Sequence, residues 1–305
     1  MSDILCLGEP LVEFVRLENG TYKRGFGGDT SNAAIAAARQ GASVGYLTVL
    51  GADRFGDSVL DLWAREGVDA SNVRRTADAP TGIYFVDPHP EGRFFTYYRA
   101  GSAASRMRPD DLPLEAIRAA RCLHVSGITL AVSDDLRATA FAAMEAARQA
   151  GAAVSLDTNL RVKLWTIAEA RAVTHEAMRL ASVAVTSIDD SAHLTGLQQS
   201  QAIADFYHDL GVETVLVTMG MQGCHLSGAE GATTIPAAPA RPVDSTGAGD
   251  SFAGAYLAWW LETGDPVLAG QRAARVAAGT VSGLGAVDPI PHRADVLAAE
   301  RAADG

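Results

Sequence analysis

Residues 244–254 read Asp244-Ser245-Thr246-Gly247-Ala248-Gly249-Asp250-Ser251-Phe252-Ala253-Gly254. Gly247 and Gly249 leave backbone amides uncovered just ahead of an apolar stretch with helical spacing, Phe252, Tyr256, Leu257 and Trp260. The first turn of a helix has unpaired N–H groups and the positive end of the helix dipole, so it attracts anions. Asp250 does not suit simple phosphate holding, because a carboxylate repels a phosphate. It suits a base that takes a proton from a hydroxyl about to attack that phosphate. Gly247, Ala248, Gly249 and Asp250 together predict phosphoryl transfer. A glycine-rich loop with an aspartate cap is the plain alternative for this segment taken alone.

Four other segments carry polar groups suited to an acceptor or a nucleotide. Phe26-Gly27-Gly28-Asp29-Thr30-Ser31-Asn32 precedes an Ala-rich helix. Capping accounts for one of Asp29, Thr30 and Ser31. The glycines would let a polyol approach the backbone, with Asp29 and Asn32 bonding its hydroxyls. Tyr97 and Arg99 are two apart and share one face of a strand, where Arg99 can fork onto a carboxylate and Tyr97 add a donor. An edge-strand arginine lying on an aromatic is the other reading of that pair. Asp157, Asn159 and Arg161 alternate with apolar residues at the end of a buried run; if the strand continues, all three face one side. Thr218, Gly220 and Gly223 leave another strand, either along a nucleotide or as a tight turn.

These segments need a scaffold. Helix-like stretches ending at Gly41, Gly151 and Gly211 are each followed by a β-rich run, at 43–49, 152–157 and 214–218, which is the joint of an α/β fold. Further strands are expected at 3–7, 122–126 and 183–187. Their apolar character on both faces predicts a mostly parallel central sheet covered by helices, with ligands beyond the carboxyl ends of the strands. Two stretches break the rhythm: 11–25, and a hairpin over 81–99 with a turn at 88–92. They predict a small sheet standing off the main body, a lid over the cleft whose exposed face pairs with another copy in a homo-oligomer. No linker or second core is visible, so 1–305 reads as one domain.

Composition narrows the chemistry. The formal charge of −11 argues against a nucleic-acid partner. Lys23 and Lys163 are the only lysines, and neither follows a Gly-x-x-x-x-Gly pattern, so a Walker-type loop is excluded. The three cysteines are scattered and the seven histidines lack zinc-ligand spacing. No leader is seen, and no apolar run approaches the ~20 residues that cross a bilayer. A cytoplasmic protein with no membrane partner is expected.

Taken together, the segments resemble the ribokinase-like (PfkB) carbohydrate kinases, through Gly27-Gly28…Asn32 and Asp244-Ser-Thr-Gly-Ala-Gly-Asp250. The resemblance covers essentially the whole chain. It implies a Rossmann-like α/β fold with a small β-lid, ATP, Mg²⁺, with a monovalent cation as a further possibility, and a primary hydroxyl as acceptor. Within the family the chain looks most like the 2-keto-3-deoxygluconate kinases, through 26–32, 95–103, 123–129 and 155–165. That likeness places Gly28, Tyr84, Tyr97, Arg99, Ile128, Arg161 and Asp250 around a sugar acid. Two arginines at the acceptor end also suit an anionic acceptor better than a neutral sugar. ATP would lie beside Thr218, Gly220, Gly223, Ala274 and Gly279, with Ser187 near its phosphates. Many members carry Asn-x-x-Glu by the metal; here Ser187-Ile188-Asp189-Asp190 stands there, so Asp190 offers its carboxylate on a shorter arm, through water. A fructose- or ribose-type kinase and a non-catalytic sugar-acid sensor are the competing readings.

Overall fold

A computed structural model describes residues 2–89 and 92–303. Its main sheet has nine strands, in the order Gly231–Ile235, Cys224–Gly228, Thr214–Thr218, Val183–Ser187, Ala153–Asp157, Cys122–Ser126, Ile4–Leu7, Val44–Leu47 and Val68–Asp69. All pairings are parallel except the two at the Gly231–Ile235 edge. Side chains alternate across each strand, so Leu5, Leu7, Leu123, Val125, Val154 and Leu156 feed one apolar layer. Ile4, Cys6, Cys122, Val183, Val185 and Leu216 feed the other. This two-sided burial is what the continuous apolar runs predicted. The three helix-ending glycines have positive φ: Gly41 98°, Gly151 79° and Gly211 101°. No described helix is long and apolar enough to cross a membrane.

Two expectations need correction. The run at 43–49 is not one strand: Val44–Leu47 joins the main sheet, and Val49–Gly51 pairs instead with Arg74–Thr76. The strand ending at Asp157 does not continue, because Asn159 takes a positive φ of 30°. Asp157, Asn159 and Arg161 therefore do not form a row on one face.

The small sheet is present. Its order is Tyr22–Gly27, Leu11–Arg16, Ile83–His89, Gly92–Tyr98, with a parallel pair at its centre. The tip of the expected hairpin turn, 90–91, lies outside the described residues. Leu11, Tyr84 and Val86 are buried on the inner face. Phe14 and Phe85 stack on the outer face, where Tyr22 and Tyr98 pack edge-on against Phe85.

The helices Asp29–Arg39 and Ala248–Thr263 cross closely. At the contact, Gly254 lies against the backbone of Ala33, and a Cβ there would overlap the Ala33 carbonyl oxygen. That contact brings the first turns of the two helices together. Gly254→Ala should therefore cost about 1–3 kcal/mol, since neither backbone can yield easily. Gly249→Ala has no protein atom within 4 Å of the added carbon and should be neutral or stabilising by up to about 1 kcal/mol. Denaturant unfolding of the two variants checks the opposite signs.

Candidate active site

Gly247 adopts the left-handed conformation, φ 77°, and opens the helix Ala248–Thr263 with no side-chain cap. Ser251 N returns to Gly247 O at 2.8 Å, and Ala248 N turns back to Ser245 O at 3.3 Å. The Ala248 amide expected to face an anion is thus partly engaged. Asp250 follows in the first turn, half-buried.

Each carboxylate oxygen of Asp250 accepts from an amide. Asn32 Nδ2 donates to Oδ2 at 2.8 Å and Asn159 Nδ2 donates to Oδ1 at 3.2 Å. Asn159 Nδ2 also donates to Asp29 Oδ2 at 3.2 Å. Burial, reinforced by the Asp29 charge, pushes the Asp250 carboxyl up to about 6, while Asn32, Arg161 and Asn159 pull it down. That lies near the working range of a general base. Asp157 is buried nearby and raised by burial and by the charges of Asp250, Asp190 and Asp29.

The segment 26–32 joins this cluster, but not by capping. Gly28 occupies the N-cap position, and no side chain caps the helix. Thr30 Oγ1 bonds the Tyr46 hydroxyl at 2.6 Å, and Ser31 Oγ accepts from Trp63 Nε1 at 3.0 Å. Gly28 passes so close to Glu9 that a Cβ would sit 2.6 Å from its carbonyl oxygen. Asn32 Oδ1 is buried and has no partner, an acceptor open to a ligand hydroxyl.

The small sheet brings the aromatic and cationic groups. Tyr84 donates its hydroxyl to Glu13 Oε1 at 2.6 Å and stacks on Tyr97 at 5.3 Å. The Arg99 guanidinium lies over the Tyr97 ring at 5.6 Å. Arg99 is less free than expected: Nε and Nη2 both donate to Glu9 Oε2, at 2.7 and 2.5 Å. Ser102 Oγ donates to the other Glu9 oxygen at 2.5 Å. One edge of the Arg99 fork is therefore committed to a buried carboxylate, and Nη1 remains. Arg161 is exposed, its Nη1 donating to Leu160 O at 3.1 Å, and its charge acts on both Tyr97 and Asp250. Ile128 is half-buried next to Gly127, which packs on the Thr158 carbonyl.

The residues expected around the nucleotide are more dispersed. Ser187 caps its helix by accepting from Asp190 N at 3.0 Å. Asp190 Oδ2 accepts from Thr158 Oγ1 and Leu160 N, both at 3.0 Å. Thr218 Oγ1 donates to Thr186 O at 3.1 Å. The 219–223 segment is a tight turn, closed by Met219 N to Gly223 O at 2.8 Å. A Cβ on Gly223 would overlap the Ile235 carbonyl, and one on Gly279 would overlap Pro291. Chain packing thus accounts for both glycines. Ala274 is nearly buried. Among the described residues no three acidic, histidine or cysteine side chains converge as a metal cage. A lone Asp190 with one oxygen engaged fits Mg²⁺, which commonly takes one or two carboxylates, with phosphate oxygens and water completing its shell.

Three residues escaped sequence reasoning. Glu9 follows directly on a buried strand in Leu7-Gly8-Glu9-Pro10, a signal that was readable. Glu13 and Arg93 sit in the small sheet, and only the fold shows their partners. Arg93 Nη1 donates to both oxygens of Asp244, each at 2.8 Å, and reaches Thr246 Oγ1 at 3.2 Å. Asp244 also accepts from Thr246 N, Thr246 Oγ1 and Gly285 N. The small sheet is thereby tied to the glycine loop.

The pattern of the pfkB family carbohydrate kinases matches residues 1–293. A 2-dehydro-3-deoxygluconokinase of Thermoproteus tenax is 35% identical over 278 residues, 87% of this chain and 84% of that protein. Fructokinase-2 of Solanum lycopersicum is 34% identical over 265 residues, 83% of this chain and 80% of that protein. The crystal structure of a fructokinase with bound ATP from Xylella fastidiosa superposes with a TM-score of 0.92 at 26% identity, covering 100% of both chains.

Burial alone would raise the Asp244 carboxyl, but its donors from Thr246, Gly285 and Arg93 prevail and hold it at about 2. Its folded value lies below the ordinary ~3.9. The stabilisation is therefore complete above about pH 4 and lost as pH falls through about 2. Unfolding free energies of wild type and Arg93→Ala should differ most above about pH 4 and converge towards pH 2, read by denaturant titration across that range.

Proposed function

The chain belongs to the pfkB family of carbohydrate kinases, and on that premise we propose that it transfers the γ-phosphoryl group of ATP to the primary hydroxyl of a sugar acid. The acceptor we infer is 2-keto-3-deoxygluconate, giving the 6-phosphate. The observation that carries this reading is the Arg99 guanidinium lying over the Tyr97 ring, with the charge of the exposed Arg161 acting on both Tyr97 and Asp250. In a chain of charge −11, two guanidiniums at one acceptor cleft suit an anion. The likeness to the Thermoproteus tenax enzyme supports the same acceptor.

In this reading Nη1 of Arg99, the Tyr97 hydroxyl and Arg161 hold the carboxylate and keto end. Asn32 Oδ1 and Asp29 take hydroxyls along the chain. Asp250 accepts the proton of the terminal hydroxyl as that oxygen attacks, with both of its own oxygens oriented by Asn32 and Asn159. The Gly247 and Gly249 amides face the transferring group and offset its charge. Asp190 would hold Mg²⁺, which when bound would supply charge neutralisation on the phosphates. The small sheet acts as a lid, and Arg93 couples its position to the loop that cradles the phosphate. Its outer face exposes Tyr22 (47%), Phe94 (55%) and Tyr98 (63%). We infer a homodimer through that face, which sedimentation of wild type and Tyr98→Asp would read. Three buried free cysteines suit a cytoplasmic site.

The fructokinase relatives supply a second reading with a neutral acceptor, and the engagement of Arg99 by Glu9 favours it. A panel of keto-deoxy sugar acids, fructose and ribose, with ADP release measured, separates the two. The proposal requires kcat/KM for the sugar acid to exceed that for fructose by at least about a hundredfold, the span of one charge-assisted contact. Preference for fructose overturns it. Asp250→Asn should lower kcat by ~10²–10⁴ with the fold intact. Because the base works deprotonated, kcat/KM should fall on the acid side with a midpoint at about 6. Near-normal turnover of Asp250→Asn removes Asp250 from the base role.

A further inference from the structure

Asn159 is the only residue other than glycine with a positive φ among the described residues. Such backbone persists only where the surroundings over-determine it, and it concentrates at functional positions. Here the surroundings do. Asn159 N donates to Asp157 Oδ1 at 3.1 Å. Thr158 N donates to Val185 O at 2.9 Å. Thr158 Oγ1 and Leu160 N both close on Asp190. A Cβ on Gly127 would overlap the Thr158 carbonyl, so the helix start beneath the turn is also shaped to it.

The outcome of this bracing is one side-chain nitrogen placed between two carboxylates. Asn159 Nδ2 has two N–H groups, and Asp29 and Asp250 take one each at 3.2 Å. Asparagine is chemically suited to the position. An aspartate would add a third negative charge, and a lysine would neutralise the base. The neutral amide donates to both carboxylates without pairing with either.

We propose that Asn159 is a positioning residue for phosphoryl transfer: its amide spaces Asp29 from Asp250 and, with Asn32 on the other oxygen, fixes the plane of the Asp250 carboxylate towards the acceptor hydroxyl. The proposal rests on Asp250 being the base. A carboxylate held at one oxygen can still turn about its bond; held at both, it presents the remaining lone pair of each oxygen in a set direction. The charged and titratable groups acting on Asp250 are Asp29 from the helix Asp29–Arg39, Asp157 at its strand end, Arg161 from the following loop and Tyr84 from the small sheet. Removing the amide leaves the Asp29 repulsion unopposed at that oxygen.

Asn159→Gly is the direct test, because glycine keeps the backbone conformation and deletes only the amide. Its kcat should fall about ten- to a hundredfold. The acid-side midpoint of kcat/KM should rise by about one pH unit, the effect of a lost charge-assisted hydrogen bond on a carboxylate. KM for ATP should stay within about twofold, since the amide does not touch the nucleotide side. Asn159→Asp keeps the shape of the side chain and should raise the midpoint further; it carries the test if the glycine variant folds poorly. A purely structural role would lower the unfolding temperature and leave the midpoint in place, and that result overturns the proposal. An unmoved midpoint together with an inactive Asp250→Asn variant sinks this inference alone. An active Asp250→Asn variant sinks the base assignment beneath it.

Discussion

Like charges gathered in a half-dry cleft set the terms for the rest of this molecule. Asp29, Asp157 and Asp250 come from a helix, a strand end and a second helix; the Asp29 charge raises the cost of ionising both Asp157 and Asp250, and Asp250 adds to it at Asp157. Carboxylates so placed stay useful only if neutral donors stand between them. Asn32 and Asn159 are those donors for Asp250. Their positions follow from backbone contacts with no tolerance, Gly254 on Ala33 and Gly127 on Thr158. The tight helix crossing and the braced turn are thus parts of one electrostatic arrangement. Without them Asp250 would be either repelled from its neighbours or protonated.

The small sheet repeats this logic with opposite charges. Its polar side chains reach inward to pair across the cleft: Arg93 with Asp244, Arg99 with Glu9, and Tyr84 with Glu13 inside the sheet. Asp244 is almost fully covered, whereas Arg93 is a third exposed. Breaking that pair therefore leaves a buried charge on the main body rather than on the sheet, so the body carries most of the cost of opening. Because Asp244 also holds Thr246 and Gly285, the Arg93 contact joins the small sheet to the loop at Gly247.

Much of this was legible in the sequence, and the failures share a cause. The strands Cys122–Ser126, Val183–Ser187 and Thr214–Thr218 emerge with the expected bounds, because unbroken apolar runs between helix-ending glycines and polar residues have few other solutions. The glycine loop and Asp250 stood out in the sequence because uncovered helix-start amides sit beside a carboxylate, although a capped glycine turn is the plain alternative for that segment alone. What stayed hidden depends on residues distant in sequence. Asp29, Thr30 and Ser31 look like caps, yet Asn159, Tyr46 and Trp63 hold their side chains instead. Local pattern cannot rank a cap against a partner 130 residues away. Glycine is ambiguous in the other direction: Gly223 and Gly279 were placed beside a nucleotide, and another stretch of chain lies against both, a close approach that local sequence does not show.

One end of the cleft sets a buried, paired arginine beside an exposed one. The Arg99 side chain is 12% exposed and its Glu9 partner 1%. As a unit this pair carries no net charge, and burial raises the Glu9 carboxyl against the pull of Arg99. Its value to a bound carboxylate is directional: Nη1 points a donor from a guanidinium that Glu9 and the Tyr97 ring hold still. Arg161 is the complement, exposed and bonded among the described residues only to the Leu160 carbonyl next to it, with a charge that reaches the cleft. An exposed charge contributes about 0.2–1 kcal/mol at contact, and its larger effect is on encounter. The two arginines therefore differ in kind: orientation is fixed at Arg99, and charge is exposed at Arg161. Glu9 is what makes that division possible, because an unpaired Arg99 in the same place would bind anions strongly and without regard to geometry.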